Sequence, residues 1–238
     1  MIDDIRLDDW WKKHGLVKGA KFEAILMLYC LDTLKDYFKG ETCLELGCAG
    51  GLWTEHLVNY FKRVIAVDGD LELVRETRNR IKSNNLEVVC SLFEELESNE
   101  KFDTILMAHI LEHVADPILI LRKAKNWLND DGVILVVVPN ANSLHRQAGV
   151  KMGLLKRIDE LNEVDKKIGH RRVYTWETLK RDIESTGLKI KKMGGIFLKP
   201  LTNAQIEAWF TKEMMDAFYE LGKEYPEIAA EIYVVCEK

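Results

Sequence analysis

Between Thr42 and Val138, short β-branched and apolar runs alternate with amphipathic stretches of about 12 residues. That alternation predicts βα units on a parallel sheet. The predicted strands are Thr42–Leu46, Val64–Val67, Leu86–Cys90, Phe102–Met107 and Val133–Val138. The fifth is apolar throughout, as a strand buried on both faces should be. Helices are expected from Trp53 to Phe61, from an N-cap at Asp70, and from an Asp116-Pro117 start that ends before the turn cluster Asn129–Gly132. After Pro139 the pattern loosens until Thr175, which should cap a helix ending near Gly187. Leu188–Met193 and Ile232–Cys236 then alternate as two late strands that could pair as an antiparallel edge. A helix is expected over about Asn203 to Leu221, and an amphipathic one over Phe22 to Phe38.

The expected fold is therefore α/β: a seven-stranded sheet, mostly parallel with an antiparallel last strand, with helices on both faces. The chain reads as a single domain over residues 1–238, with an N-terminal helical segment in 1–40. Segments 140–174 and 200–230 fall outside the alternating plan. Connections of that length usually act as lids or binding elements, so both are expected to form an inserted helical cap.

Composition narrows the class further. With 47% hydrophobic and 31% charged residues, 15 Gly and 4 Pro, the chain is neither disordered nor fibrous. A formal net charge of −5 argues against broad nucleic-acid binding, which needs a strong basic field. The 5 Cys are scattered with no C-x-x-C pair, so buried free thiols are expected rather than disulfides. The start MIDDIRLDDWWKK has no apolar core of a secretory signal, and the longest apolar run, Val133 to Pro139, is too short to span a bilayer. No membrane partner and a cytoplasmic location are expected.

The chemistry concentrates where the first two βα turns meet. Glu45-x-Gly47-x-Ala49-x-Gly51 closes a strand and opens a helix. Small residues there let the backbone approach a ligand, and the helix start offers unpaired N–H donors. Asp68 ends the next strand 21 positions after Gly47, where a carboxylate can accept both hydroxyls of a ribose. The dinucleotide fingerprint requires a small residue where Leu52 stands, and no Gly-Lys-Ser/Thr phosphate loop occurs. The spacing fits a nucleoside ligand lacking a pyrophosphate.

The blocks LELGCAGG, AVDGD, FDTILMAHILEHVADP and DDGVILVVVPN, in that order, resemble the class I S-adenosylmethionine-dependent methyltransferases, which have a Rossmann-like fold. The resemblance is close over about residues 40–140 and looser over TWETLKRDIESTGLKI. It implies S-adenosyl-L-methionine as cofactor. Gly47, Cys48 and Ala49 would then lie against the methionine part, with Gly51 completing the turn and Glu45 near the amino group. Asp68 would hold the ribose, with Gly69 beside it. Ser91, Leu92 and Phe93 would meet the adenine, and Ala108 would contact the cofactor after the fourth strand. Ala49 stands where the family usually has Gly. The run SLHRQAGVKMG…GHRRVYTWETL more faintly resembles small methyltransferases of surface-polysaccharide and other specialised glycan pathways.

Transfer from a sulfonium needs alignment and water exclusion, and a general base only when the acceptor is a hydroxyl or a protonated amine. Four histidines are catalytic candidates: His109 and His113 after the fourth strand, and His145 and His170 in the segment that should cover the acceptor. His14 and His56 are expected to be structural. No metal site is expected, because no His/Cys/Asp/Glu set has ligand spacing. Residues 140–172 carry eight basic against four acidic side chains, a local +4, so Arg171, Arg172 and Tyr174 are expected to bind an anionic acceptor. The expectation is methyl transfer to a small, anionic acceptor such as a sugar, nucleotide-linked sugar or phosphorylated metabolite, most simply at oxygen. N-methylation, or an NAD-dependent oxidoreductase on the same fold class, remains open. A nucleic-acid substrate is disfavoured, because MAHILEH stands where a D/N-P-P-Y run or a nucleophilic Cys would be needed. Trp209, Phe210, Met214, Met215, Phe218 and Tyr219 form a stripe expected to pack in the core, or else to form a homodimer face or lid.

Overall fold

A computed structural model describes residues 22–238. His14 and the first part of the expected N-terminal segment lie outside the described residues. The sheet has seven strands: β1 (Thr42–Leu46), β2 (Arg63–Asp68), β3 (Leu86–Cys90), β4 (Phe102–Ala108), β5 (Leu128–Pro139), β6 (Lys189–Ile196) and β7 (Glu231–Glu237). Their spatial order is β3-β2-β1-β4-β5-β7-β6. The first five pair in parallel, and β7 runs antiparallel to both its neighbours. The two late strands thus pair as the antiparallel edge expected, with β7 between β5 and β6. Chain order reverses between β1 and β4, the switch point at which open α/β sheets bind ligands.

Both faces are covered, and β5 shows why its run is unbroken. Val133, Leu135 and Val137 pack into one apolar cluster, while Ile134, Val136 and Val138 pack into the other. Burying all six side chains at roughly 1.5–3 kcal/mol each anchors the centre of the fold. The second face carries α4 (Pro117–Trp127) and α7 (Trp176–Glu184). Both begin as the sequence predicts: Asp116 accepts from Leu119 N at 3.0 Å and Thr175 accepts from Thr178 N at 3.2 Å. The first face carries α1 (Phe22–Leu34) and α2 (Thr54–Tyr60), with α8 (Asn203–Trp209) and α9 (Lys212–Glu224). The remaining helix of the alternating plan, α3 (Leu71–Arg80), starts at Asp70, whose carboxylate accepts from Glu72 N and Leu73 N.

Three expectations are revised. The turn cluster Asn129–Gly132 lies inside β5, where the register with β4 shifts between Phe102 and Thr104. The helix expected from Asn203 to Leu221 is two, because Phe210 leaves the helical conformation and Thr211 caps a new start. The helix expected to be amphipathic, α1, is buried on nearly every side, from Phe22 and Ile25 to Tyr29, Cys30 and Leu34. It packs on the same sheet face as α9, where the Tyr29 and Tyr219 rings stack at 4.3 Å. Tyr29 donates to Asp216 at 2.7 Å. Of the aromatic and Met stripe, Phe210, Met215 and Tyr219 are core, while Trp209 and Met214 face outward. No helix among the described residues is long and apolar enough to cross a membrane.

Segment 140–174 is closed at its base by a bridge between Asn140 and Tyr174. It holds α5 (Leu144–Lys151) and the short α6 (Glu163–Lys167). Buried Arg146 organises it, donating to the carbonyls of Ile158 and Glu160 and to Asp165 at 3.1 Å.

Candidate functional site

Strand registers bring the predicted cofactor residues together. Leu46 is level with Val67 on one side and Met107 on the other, and Asp68 is level with Cys90. Gly47, Asp68, Ser91 and Ala108 therefore all lie just beyond, or at, the carboxyl ends of adjacent strands. The glycine turn folds back onto β2: Gly47 N and Cys48 N both donate to Val67 O, at 2.8 and 3.3 Å. Asp68 Oδ2 accepts from Ala49 N at 3.1 Å and Oδ1 from Asp70 N at 2.9 Å, so the carboxylate faces the turn. Each oxygen keeps a second lone pair for a ligand hydroxyl.

Gly47 has φ +85°, and a Cβ there would stand 2.2 Å from Ile110 Cδ1. Only glycine fits that corner without displacing Ile110. Ala49 adopts φ 39°, so its methyl costs backbone strain where glycine would not. Ser91 N donates to Asp68 O at 3.0 Å, and Leu92 packs on Gly69, 3.0 Å from where its Cβ would be. Phe93 approaches Gly47 from the same side.

A cavity of about 390 Å³ opens beside this turn, lined by Glu45, Gly47, Cys48, Ala49, Trp53 and Ala108 among others. Glu23, Ala24 and Met27 of α1 close its far wall, a contribution no motif announced. Trp53 lines the cavity, and its Nε1 is buried without a hydrogen-bond partner. Glu45 is buried and accepts from Thr54 Oγ1 at 2.6 Å. Burial pushes its carboxyl up to about 8; the Thr54 hydroxyl opposes this and Asp68 adds to it. A buried acid that ionises readily only beside a cation is suited to an ammonium group. Cys48 is turned inward against Thr77, so its backbone faces the cavity while its thiol does not.

The histidines separate. His109 follows Ala108 with φ 57°, strain that a non-glycine residue adopts only when its surroundings impose it. Its Nδ1 lies 3.2 Å from Glu112 Oε1 and its Nε2 lies 4.0 Å from Glu231 Oε2. His109 Nε2 and Glu231 Oε2 both lack a hydrogen-bond partner. Burial works against charging this ring, but Glu231, Cys30 and Glu112 outweigh it and hold its pKa well above the ordinary value. Burial raises Glu231 to about 7, against the pull of His109. His113 packs edge-on against His170, ring centroids 4.7 Å apart. His145 is half-buried and pushed down to about 3 by burial, with Lys199 and Arg146 adding and Asp165 opposing. His56, on α2, lies 3.6 Å from Glu55.

Two expectations are corrected. Arg172 does not reach out to an anion: it donates to the carbonyls of Leu111, Val114 and Ala115. Arg171 donates through Nε to His113 O at 2.9 Å, and Tyr174 is buried with its hydroxyl on Asp182. The turn 111–115 leaves its carbonyls unpaired, and the two guanidinium groups fill that need. The second correction concerns ligand spacing: Glu112, His113 and His170 meet in space, with ligand atoms within 4.8 Å of one another. His170 comes from a segment that sequence spacing could not bring to Glu112.

A methyltransferase-domain family model matches residues 37–192. A protein of Haemophilus ducreyi named ubiquinone biosynthesis O-methyltransferase is 27% identical over 205 residues, covering 81% of this chain and 84% of that one. One of the same name from a Chelativorans species is 26% identical over 238 residues, covering 94% and 91%. The crystal structure of an S-adenosylmethionine-dependent methyltransferase from Mesorhizobium loti superposes with a TM-score of 0.66 at 16% identity, over 88% of this chain and 98% of that one. The fainter resemblance to glycan-pathway enzymes finds no support in these relatives, whose names place them in ubiquinone biosynthesis.

Proposed function

Since the chain belongs to the methyltransferase-domain family, we propose that it moves the methyl group of S-adenosylmethionine to a hydroxyl oxygen of a small acceptor. The observation that carries this reading is the pairing of two buried or half-buried carboxylates across the glycine turn, Glu45 lining the cavity and Asp68 accepting from the backbone N–H of Ala49, a residue of that lining. The residues fit the cofactor. Glu45 supplies a counter-charge for an ammonium, Asp68 supplies acceptors for a diol, and Gly47 leaves room where a Cβ would intrude. When bound, the cofactor supplies an activated methyl that needs only an aligned nucleophile.

Oxygen is the preferred target on two grounds. The relatives carry the name O-methyltransferase. His109 Nε2 and Glu231 Oε2 are also both unpartnered and 4.0 Å apart, so one hydroxyl placed in the gap beside their axis would lie about 2.8 Å from each. In that gap the hydroxyl accepts from His109 and donates to Glu231, and Glu231 takes its proton as the oxygen forms its new bond. A carboxyl near 7 is matched to that task at neutral pH. Arg172 spends its guanidinium on main-chain carbonyls and Arg171 its Nε, which supports an acceptor that need not be anionic.

Label transfer from methyl-labelled cofactor to a panel of small hydroxylated metabolites, quinols included, tests the reading. Glu231→Gln should lower kcat by about 10²–10⁴ while leaving affinity for S-adenosylhomocysteine unchanged. Binding of NAD in place of S-adenosylhomocysteine would refute it.

A further inference from the structure

We propose that Lys199 and His145 form a subsite for a carboxylate of the acceptor, beside the hydroxyl that is methylated. The ends of three strands bring these groups together. Pro139 at the end of β5 and Ile196 at the end of β6 are both level with Glu231, the first residue of β7. His145 follows Pro139 by six residues, and Lys199 follows Ile196 by three.

Lys199 carries an ammonium that lacks an anion. It is half-buried, donates to the neutral side-chain oxygen of Asn203 and lies 5.3 Å from the centre of the Phe22 ring; among the described residues it makes no ion pair. A lysine ammonium has three donors, so two remain for a ligand. Lysines withdrawn from water are normally paired, because desolvation penalises the charge. Burial holds the Lys199 pKa below its ordinary value, and Glu231 and Glu23 oppose that through space without bonding to it.

Two further polar groups stand idle at the start of α5. His145 Nδ1 is buried with no hydrogen-bond partner. Burial, with Lys199 and Arg146 adding, keeps that ring neutral, so Nδ1 can donate without carrying charge. Ser143, at the N-cap position of α5, is fully buried and its Oγ bonds to nothing. Arg146 is engaged by Asp165 and by the carbonyls of Ile158 and Glu160, which leaves Lys199 as the cation without a counter-ion. The backbone leading to Lys199 is strained as well. Phe197 adopts φ 61° while fully buried, its ring 5.1 Å from that of Phe22 and 6.0 Å from that of Tyr29. A bulky residue keeps that conformation only where its surroundings impose it, and such residues cluster at ligand sites.

One cation and one neutral imidazole match the single negative charge of a carboxylate, whereas a phosphate dianion would leave charge uncompensated. Arg171 and Arg172 leave the charge of the acceptor open, and Lys199 decides it. A carboxylate held there fixes the acceptor at a second point and aligns its hydroxyl with the His109–Glu231 gap. That alignment rests on the methyltransferase reading.

The test uses the full chain loaded with S-adenosylhomocysteine and two matched pairs of probes, 3-hydroxybenzoate with 3-hydroxybenzamide and lactate with lactamide. Calorimetry should show at least one acid binding about 10-fold or more tighter than its amide. Lys199→Met should weaken that acid by about 10- to 100-fold and change its amide by less than about 3-fold, with affinity for S-adenosylhomocysteine unchanged. His145→Phe should weaken the acid by about 3- to 10-fold, the smaller loss of a neutral donor. Should Lys199→Met fail to fold, Lys199→Gln carries the same comparison, and His145→Phe probes the subsite from its other side. Equal binding of acid and amide by the wild-type chain, uptake of none of the four probes, or a Lys199 variant that weakens both members of a pair alike would overturn the proposal. Those results with S-adenosylhomocysteine still bound sink the carboxylate subsite alone; failure of the wild type to bind S-adenosylhomocysteine sinks the methyltransferase reading, and the subsite with it.

Discussion

Glu45 offers the sharpest quantitative test of the cofactor site. Its carboxyl is pushed up to about 8 by burial, against an ordinary value of 4.5. The folded protein therefore binds more protons here than the unfolded chain between those two values. The neutral acid is the stable form at low pH, and stability falls as pH rises, by about 1.4 kcal/mol per unit from this residue, until the folded value is passed. Near pH 7 about nine in ten molecules without ligand hold the proton. An ammonium beside Glu45 reverses the preference, because the ionised acid then has a partner. Binding of S-adenosylhomocysteine at pH 7 should release about 0.9 proton, and affinity should rise nearly tenfold between pH 6 and pH 7. Calorimetric titrations in buffers of different ionisation enthalpy read both quantities. Glu45→Gln should remove the proton release, flatten the pH dependence, and stabilise the ligand-free protein at pH 8. Wild-type binding without proton release, or with affinity independent of pH, would refute the placement of the ammonium at Glu45.

Other consequences are as direct. Asp68→Ala should weaken S-adenosylhomocysteine by about 1–3 kcal/mol, roughly 5- to 150-fold, measured by calorimetry; unchanged affinity would take Asp68 out of the ribose site. Gly47→Ala places a Cβ 2.2 Å from Ile110 Cδ1 at φ +85°, and should cost about 1–3 kcal/mol of stability in a thermal melt. Ala49→Gly should act in the opposite sense, raising stability by about 0.5–1 kcal/mol, because the residue already sits at positive φ. Arg172→Ala leaves three carbonyls of the 111–115 turn without their donor and should lower Tm by several degrees; an unchanged melt would mean that water replaces the guanidinium at no cost.

The sequence by itself determined the parallel half of the sheet, the helix starts at Asp70, Asp116 and Thr175, and the cofactor turn. These are local properties. Strand periodicity, a capping side chain and a glycine corner act over a few residues, and Glu45, Gly47 and Asp68 come from two consecutive βα units. The place of β7 between β5 and β6, the wall that α1 lends to the cavity, and the break at Phe210–Thr211 were decided by packing, since apolar pattern names a buried face but not what covers it. The same limit explains the histidines. His109 meets Glu231, and Glu112 and His113 meet His170, across separations that side-chain period cannot span. Charge count in the inserted segment suggested an anion clamp, but folding gave Arg171 and Arg172 to unpaired carbonyls. A buried carbonyl lacking a donor costs more than an exposed cation lacking a partner, and only the tertiary structure shows which carbonyls those are.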